Sequence, residues 1–189
     1  MSNQSFNFRQ FTICQDRCAM KVGTDGVLLG AWAHGGHNIL DIGTGTGLIT
    51  LMLAQRFGKA RLTAVEIDHE AAIQASENVN ASPFAVRVTI VETPIQSFSA
   101  KEKFDAIVSN PPFFTDSLKN PDSQRATARH ADTLPYRELF AAVSDLLAED
   151  GEFSAVIPFD CLSQFTAEAY LAGLALSRRC AIRTTPRKQ

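Results

Sequence analysis

The 189-residue chain is 45% hydrophobic and 20% charged, with a net charge of −2, which describes one globular unit with a single core. No apolar run approaches the ~18 residues of a membrane span, and the polar start is not a secretory leader, so the reading is a cytoplasmic protein with no membrane partner. The charge excludes a uniformly basic nucleic-acid binder, so any basic surface must be local.

The chain opens with alternating Phe6, Phe8 and Phe11, the pattern of a short extended arm. Thr24-Asp25 then offers a helix N-cap ahead of Val27, Leu28, Leu29 and Trp32. From Asn38 onward, apolar β-rich runs alternate with helical patterns. Strands are expected at Asn38–Ile42, Arg61–Ile67, Arg87–Val91, Phe104–Ser109 and Gly151–Pro158. Helices are expected at Gly47–Arg56, His69–Val79, Tyr136–Ala148 and Cys161–Leu174. In the second helix Ala71, Ala75 and Val79 share a face, with Glu70 and Gln74 outside it. Nearly continuous apolar strands imply a sheet covered on both faces, hence an α/β three-layer sandwich with a mostly parallel sheet. Residues 1–36 form an N-terminal cap segment and 37–189 the main unit. Leu176–Thr184 reads as one more strand. The antiparallel strand that normally closes such a sheet at its edge is not found, so the chain reads as shortened at its C-terminus.

Cys14, Cys18, Cys161 and Cys180 read as free thiols in a reducing compartment. Cys14 and Cys18 lack the further ligands that zinc or an iron–sulfur cluster would need, so no metal is expected.

Asp41-Ile42-Gly43-Thr44-Gly45-Thr46-Gly47 joins the first main strand to its helix. Its glycines allow a tight turn and close approach of backbone to a ligand. The spacing is G-x-G-x-G rather than the G-x-G-x-x-G of dinucleotide folds, and no Lys-Ser/Thr phosphate-grasping pair follows. Asp41 discourages a pyrophosphate and suits a ligand bearing an amino group and a sulfonium. Glu66, about 25 residues on, ends the next strand, where a carboxylate accepts from both hydroxyls of a ribose. Asp68 fits better as the N-cap of the helix that follows. After the third strand, Glu92-Thr93-Pro94-Ile95 has proline where an adenine-contacting carboxylate is expected. That leaves backbone amides and Ile95 for the base, with Glu92 or Thr93 as substitutes.

Ser109-Asn110-Pro111-Pro112-Phe113 follows the fourth strand, at the carboxyl end of the strands where open α/β sheets bind ligands. The prolines fix φ, Asn110 and the Pro111 carbonyl offer acceptors to an amine, and Phe113 offers a stacking surface. Between Asn110 and Leu134 lies a long polar loop, a length that is usually functional. It holds a basic cluster of Lys119, Arg125, Arg129 and His130. A second basic group, Arg178, Arg179, Arg183, Arg187 and Lys188, closes the chain.

The Asn-Pro-Pro-Phe motif, the string from Asp16 to Trp32 and Arg125-Ala126-Thr127-Ala128-Arg129-His130 together resemble the bacterial tRNA1(Val) adenine N6-methyltransferase family. Members often carry Tyr at the last motif position, where this chain has Phe113. The resemblance implies a Rossmann-like class I methyltransferase fold and S-adenosylmethionine as cofactor. It also implies methylation at N6 of the adenosine beside the anticodon of a valine tRNA by a monomeric enzyme. The implied catalytic residues are Asn110, Pro111, Pro112 and Phe113. The implied cofactor residues are Lys21, Thr24, Asp25, Asp41, Gly43, Gly45, Gly47, Glu66, Ile67, Thr93, Ile95 and Asn110, and the RNA-binding residues are Lys119, Arg125, Arg129 and His130. A guanine N2 methyltransferase on rRNA and a glutamine amide methyltransferase remain as alternatives from the same motif. A nicotinamide oxidoreductase is disfavoured by the glycine spacing, and a non-catalytic RNA-binding module by the intact Asn110.

Overall fold

Five apolar runs become one parallel sheet in the computed structural model, which describes residues 4–18, 20–111 and 134–183. A hairpin of β1 (Ser5–Asn7) and β2 (Thr12–Cys14) precedes helix α1 (Thr24–Trp32). The sheet contains β3 (Asn38–Ile42), β4 (Arg61–Glu66), β5 (Val88–Glu92), β6 (Phe104–Ser109) and β7 (Leu147–Ala155). The helices between and after them are α2 (Leu48–Arg56), α3 (His69–Asn80), α4 (Tyr136–Leu146) and α5 (Leu162–Leu171). The strand order is β5-β4-β3-β6-β7, and every pairing in this sheet is parallel. The chain builds outward from β3 to β5, then returns to place β6 on the other side of β3. The carboxyl ends of β3 and β6 therefore flank a topological switch point, where open α/β sheets bind ligands.

Successive residues of the strands face opposite layers. Ile39, Ala106 and Val108 join a core with Leu51, Leu53 and Val79, which also takes in Phe11 and Ile13 of the arm and Leu29 of α1. Leu40, Ile42 and Ile107 face the other layer, with Leu139, Val143 and Leu146 of α4 and Phe165 of α5 packed on them. The arm is thus part of the main core through its apolar side chains. Helix α1 reaches α2 through glycine. A Cβ on Gly30 would lie 2.7 Å from Met52 Sδ and 3.0 Å from Met52 Cβ, and one on Gly26 3.1 Å from Leu48 Cδ2, so a larger residue at either position requires the α2 side chain to move.

Several expected boundaries move. The N-cap of α1 is Gly23, not Thr24 or Asp25, and no side chain caps it. Strand β7 starts at Leu147 because its ladder contains a bulge. Phe104 pairs with Leu147 but Ala106 pairs with Glu152, so the excess residues fold out. A Cβ on Gly151 would meet Leu147 Cδ1 at 2.8 Å within this bulge. Helix α5 follows a 3-10 turn at Phe159–Cys161 and stops at Leu171, where Gly173 turns left-handed at φ 83° and the Leu174 N–H reaches back to the Ala169 carbonyl. Residues 174–183 form no strand, so the strand expected at Leu176–Thr184 is absent from its described part. Gln74, expected outside the helix face, is 1% exposed. Among the described residues, no helix is long and apolar enough to cross a membrane, and no group of three or more His, Cys, Asp or Glu side chains could hold a metal ion.

Candidate active site

The glycine turn hangs on the end of β4. The N–H groups of Gly43 and Thr44 both donate to the Val65 carbonyl, at 2.9 and 3.1 Å. Gly43, Gly45 and Gly47 all have positive φ (72°, 57° and 81°), so this path is closed to ordinary side chains without strain. Gly47 is the N-cap of α2, which starts one residue later than the apolar pattern implies.

Asp41 is 1% exposed beneath the turn. Its Oδ2 accepts from the hydroxyls of Thr44 at 2.7 Å and Thr50 at 2.6 Å. Its Oδ1 is buried without a hydrogen-bond partner. Burial raises this carboxyl from 3.8 to about 6 against the opposing effect of the two threonines, and the nearby Glu66 carboxylate adds to the rise. A buried, partnerless acceptor whose ionised form is disfavoured suits a cationic ligand group.

Glu66 is 8% exposed and accepts three backbone bonds. Oε2 accepts from the Gly45 N–H at 2.7 Å, and Oε1 accepts from the N–H groups of Ile67 at 2.9 Å and Asp68 at 3.0 Å. The carboxylate therefore braces the glycine turn. Asp68 caps α3 as its sequence position implies, accepting from the Ala71 N–H at 2.8 Å. Beside Glu66, Ile67 is 60% exposed, a large apolar side chain at the ligand edge. Thr93 is half-buried and donates its N–H to the Glu66 carbonyl at 2.9 Å. Ile95 is 5% exposed within the core under α4, so its side chain belongs mainly to packing. Glu92 faces His69 instead of the ligand edge alone. His69 Nδ1 lies 2.9 Å from Glu92 Oε2, and this bond holds the imidazole pKa above its ordinary value.

Asn110 follows β6, whose Ser109 pairs with Ile42 of β3 and donates its hydroxyl to the Ile42 carbonyl at 2.9 Å. The Asn110 Oδ1 is buried with no hydrogen-bond partner. Pro111 beside it is buried. Two unpartnered acceptors, Asp41 Oδ1 and Asn110 Oδ1, thus stand on neighbouring strands at the switch point. Lys21, Thr24 and Asp25 are exposed just before and within the first turn of α1. The Gly26–Leu48 contact brings that turn to the start of α2. Pro112, Phe113, Lys119, Arg125, Arg129 and His130 lie outside the described residues.

Sequence reasoning missed Gln74 and Asn78, which are buried in α3 at 1% and 2% exposure. Their four-residue spacing beside the Ala71–Ala75 stripe is a signal that could have placed them on one inward face.

Residues 22–161 match the methyltransferase small domain family. A tRNA1(Val) (adenine(37)-N6)-methyltransferase of Bacteroides fragilis is 53% identical over 191 residues, covering 98% of this chain and 80% of the relative. The protein of that name from Parabacteroides distasonis is 48% identical over 190 residues, with the same shares covered. Among solved structures, a predicted O-methyltransferase from Agrobacterium tumefaciens superposes with a TM-score of 0.58 at 21% identity, covering 77% of this chain and 66% of that one. Coclaurine N-methyltransferase, solved with S-adenosylhomocysteine, gives 0.52 at 19%, covering 73% and 39%. These two likenesses establish the fold, a Rossmann-like methyltransferase sandwich, and the residues at the switch point fit the S-adenosylmethionine that such domains use. By identity and coverage, the chain belongs to the tRNA1(Val) (adenine(37)-N6)-methyltransferase family, within the methyltransferase small domain family.

Proposed function

We propose that this protein methylates N6 of adenosine 37, the nucleotide next to the anticodon, in a valine tRNA, using S-adenosylmethionine. The observation that carries the reading is the Asn110 oxygen, buried and unpartnered one strand away from the Asp41–Gly47 turn, in a chain about half identical to proteins of that name. When bound, the cofactor supplies an electrophilic methyl group on a sulfonium.

The chain's own residues bind and orient. Asp41 Oδ1 would meet the cationic end of the cofactor, and Glu66 would accept from the ribose hydroxyls while keeping the turn in shape. Ile67 and Thr93 lie against the adenine. Asn110 Oδ1 and the Pro111 carbonyl would accept hydrogen bonds from the two N–H groups of the exocyclic amine, leaving its nitrogen lone pair free for the methyl group. No general base is required, because the proton can leave after the nitrogen has become cationic. The adenosine must swing out of the loop stack, which costs a few kcal/mol, least where the strand is already single. Phe113 stacks on the extruded base, a contact worth ~1–3 kcal/mol. Lys119, Arg125, Arg129 and His130 contact the RNA backbone, and both tRNA and enzyme meet in the cytoplasm.

Incubating the protein with unmodified valine tRNA and labelled cofactor, followed by nucleoside mass spectrometry, tests this. The expected product is N6-methyladenosine at position 37. N2-methylguanosine, or label only in a protein glutamine, would replace the reading.

A further inference from the structure

Helix α3 grips the N-terminal arm through side-chain amides that bond its backbone. Asn78 accepts from the Cys14 N–H through Oδ1 at 2.9 Å. Its Nδ2 donates to the Cys14 carbonyl and to the Thr46 carbonyl, each at 2.9 Å. One buried side chain therefore bonds strand β2 and the glycine turn at the same time. One helical turn earlier, Gln74 Oε1 accepts from the Arg17 N–H at 3.0 Å. Gln15 Oε1 accepts from the Val22 N–H at 2.7 Å, pinching the stretch between them into a loop. Held at both ends, that loop lies on the glycine turn: a Cβ built on Gly45 would be 3.6 Å from Cys18 Sγ. The Cys18 thiol is pushed up by burial and, in part, by the carboxylates of Glu66 and Asp68, which border the same turn.

We propose that Asn78 is a positioning residue for the cofactor site: by tying β2 and the Thr46 carbonyl to α3, it holds residues 15–18 against the glycine turn as one wall of that site. The proposal rests on reading the turn as the cofactor site. Removing the amide leaves the N–H and carbonyl of Cys14 and the buried carbonyl of Thr46 without this partner, and the Thr46 carbonyl recovers one only if the arm or the turn shifts. Such a shift changes the ligand's surroundings, so arm docking and cofactor binding are coupled. By reciprocity, bound cofactor must tighten the arm as much as the docked arm tightens binding. A role limited to fold stability would lower the melting temperature and leave the affinity of the folded protein unchanged.

The test compares the full-length protein with Asn78→Ala and, as a milder change, Gln74→Met. S-adenosylhomocysteine affinity is measured by calorimetry. Alkylation of Cys18 by iodoacetamide is followed by peptide mass spectrometry, with the exposed Cys180 as internal reference. For Asn78→Ala the expected result is a dissociation constant raised about tenfold, with a matching rise in KM for cofactor and kcat within about twofold. Cys18 should be labelled faster in the variant, and S-adenosylhomocysteine should slow its labelling in the wild type. Gln74→Met should move both readouts the same way by about threefold, and it carries the comparison alone if Asn78→Ala does not fold. Wild-type affinity in a folded variant, or Cys18 labelling indifferent to ligand, overturns the proposal. Failure of the wild type to bind S-adenosylhomocysteine overturns the reading of the turn instead.

Discussion

The two sides of the crevice between β3 and β6 are finished to different degrees. On the β3–β4 side the protein's own bonds use most of the polar groups and leave Asp41 Oδ1 as that side's one buried side-chain acceptor without a partner among the described residues. Three amides meet Glu66, two hydroxyls meet Asp41, and two amides of the glycine turn meet the Val65 carbonyl. On the β6 side Ser109 ties the strands together, while Asn110, the next residue, keeps an enclosed oxygen with no partner. A surface assembled in advance holds a ligand with little reorganisation. An acceptor kept in reserve contributes when charge develops on the group it meets. The first side should therefore govern binding, and the second turnover.

The largest effect should come from breaking the second side alone. Asn110→Ala should lower kcat on tRNA by ~10² or more, since it removes an acceptor that strengthens as the amine becomes cationic. Cofactor affinity should move by less than about threefold. Glu66→Ala is the converse. It deletes the ribose acceptor and frees the Gly45 N–H, so cofactor affinity should fall by ~10-fold or more. Steady-state kinetics paired with calorimetry on both variants separates the two sides, and equal losses in both parameters for both variants would erase the distinction.

Asp41 sharpens the comparison through pH. Its folded pKa of about 6 lies above the ordinary 3.8, so the folded state holds a proton that the unfolded state releases between those values. Stability from this group is complete below about pH 4 and falls as pH rises through 6, by on the order of 3 kcal/mol in all. Asp41→Asn should remove that slope from a series of denaturation curves. A cationic ligand favours the ionised carboxylate, so cofactor affinity should rise with pH up to about 6 and then level. Binding near pH 6 should also release a proton, visible as a calorimetric enthalpy that depends on the buffer. An enthalpy independent of buffer would remove Asp41 from contact with the ligand's charge.

What could be read from the sequence follows from the range of the interaction involved. Strands β3 and β6 were legible to the residue, because each is an apolar run closed by a turn signal. The Asp68 cap, a bond over three residues, was equally legible. The start of β7 was not, since a bulge depends on pairing with Phe104, far off in sequence. Leu176–Thr184 has strand propensity, but a strand exists only through a ladder, and the described residues give it none. Gln74 looked solvent-facing and Asn78 gave no signal, because their partners, the backbone of Arg17 and Cys14, lie about sixty residues away and have no side-chain signature. The Glu66–Gly45 bond was hidden for the same reason: a carboxylate at the end of β4 was legible, its bracing of the glycine turn only in the fold.

The smallest expected effect isolates the value of a preformed turn from the strain of making one. Gly43 and Gly173 have nearly the same backbone, φ 72° and 83°, and in each a Cβ would meet nothing within 4 Å. An alanine at either position therefore meets the same obstacle, left-handed backbone, worth ~1–2 kcal/mol. For a chain of this size that lowers Tm by roughly 2–8 °C, and the two variants should agree within about 2 °C. They differ in where the added methyl points. Gly173 ends α5, away from the crevice, whereas Gly43 is exposed at the ligand edge of the turn. Gly43→Ala should weaken cofactor binding several-fold beyond any effect of lost stability, because its methyl fills space on the face that the ligand approaches. Gly173→Ala should bind as the wild type does. Matching Tm shifts with matching affinities would mean that the cofactor does not lie against Gly43, and the turn would then act through Gly45 and Gly47 alone.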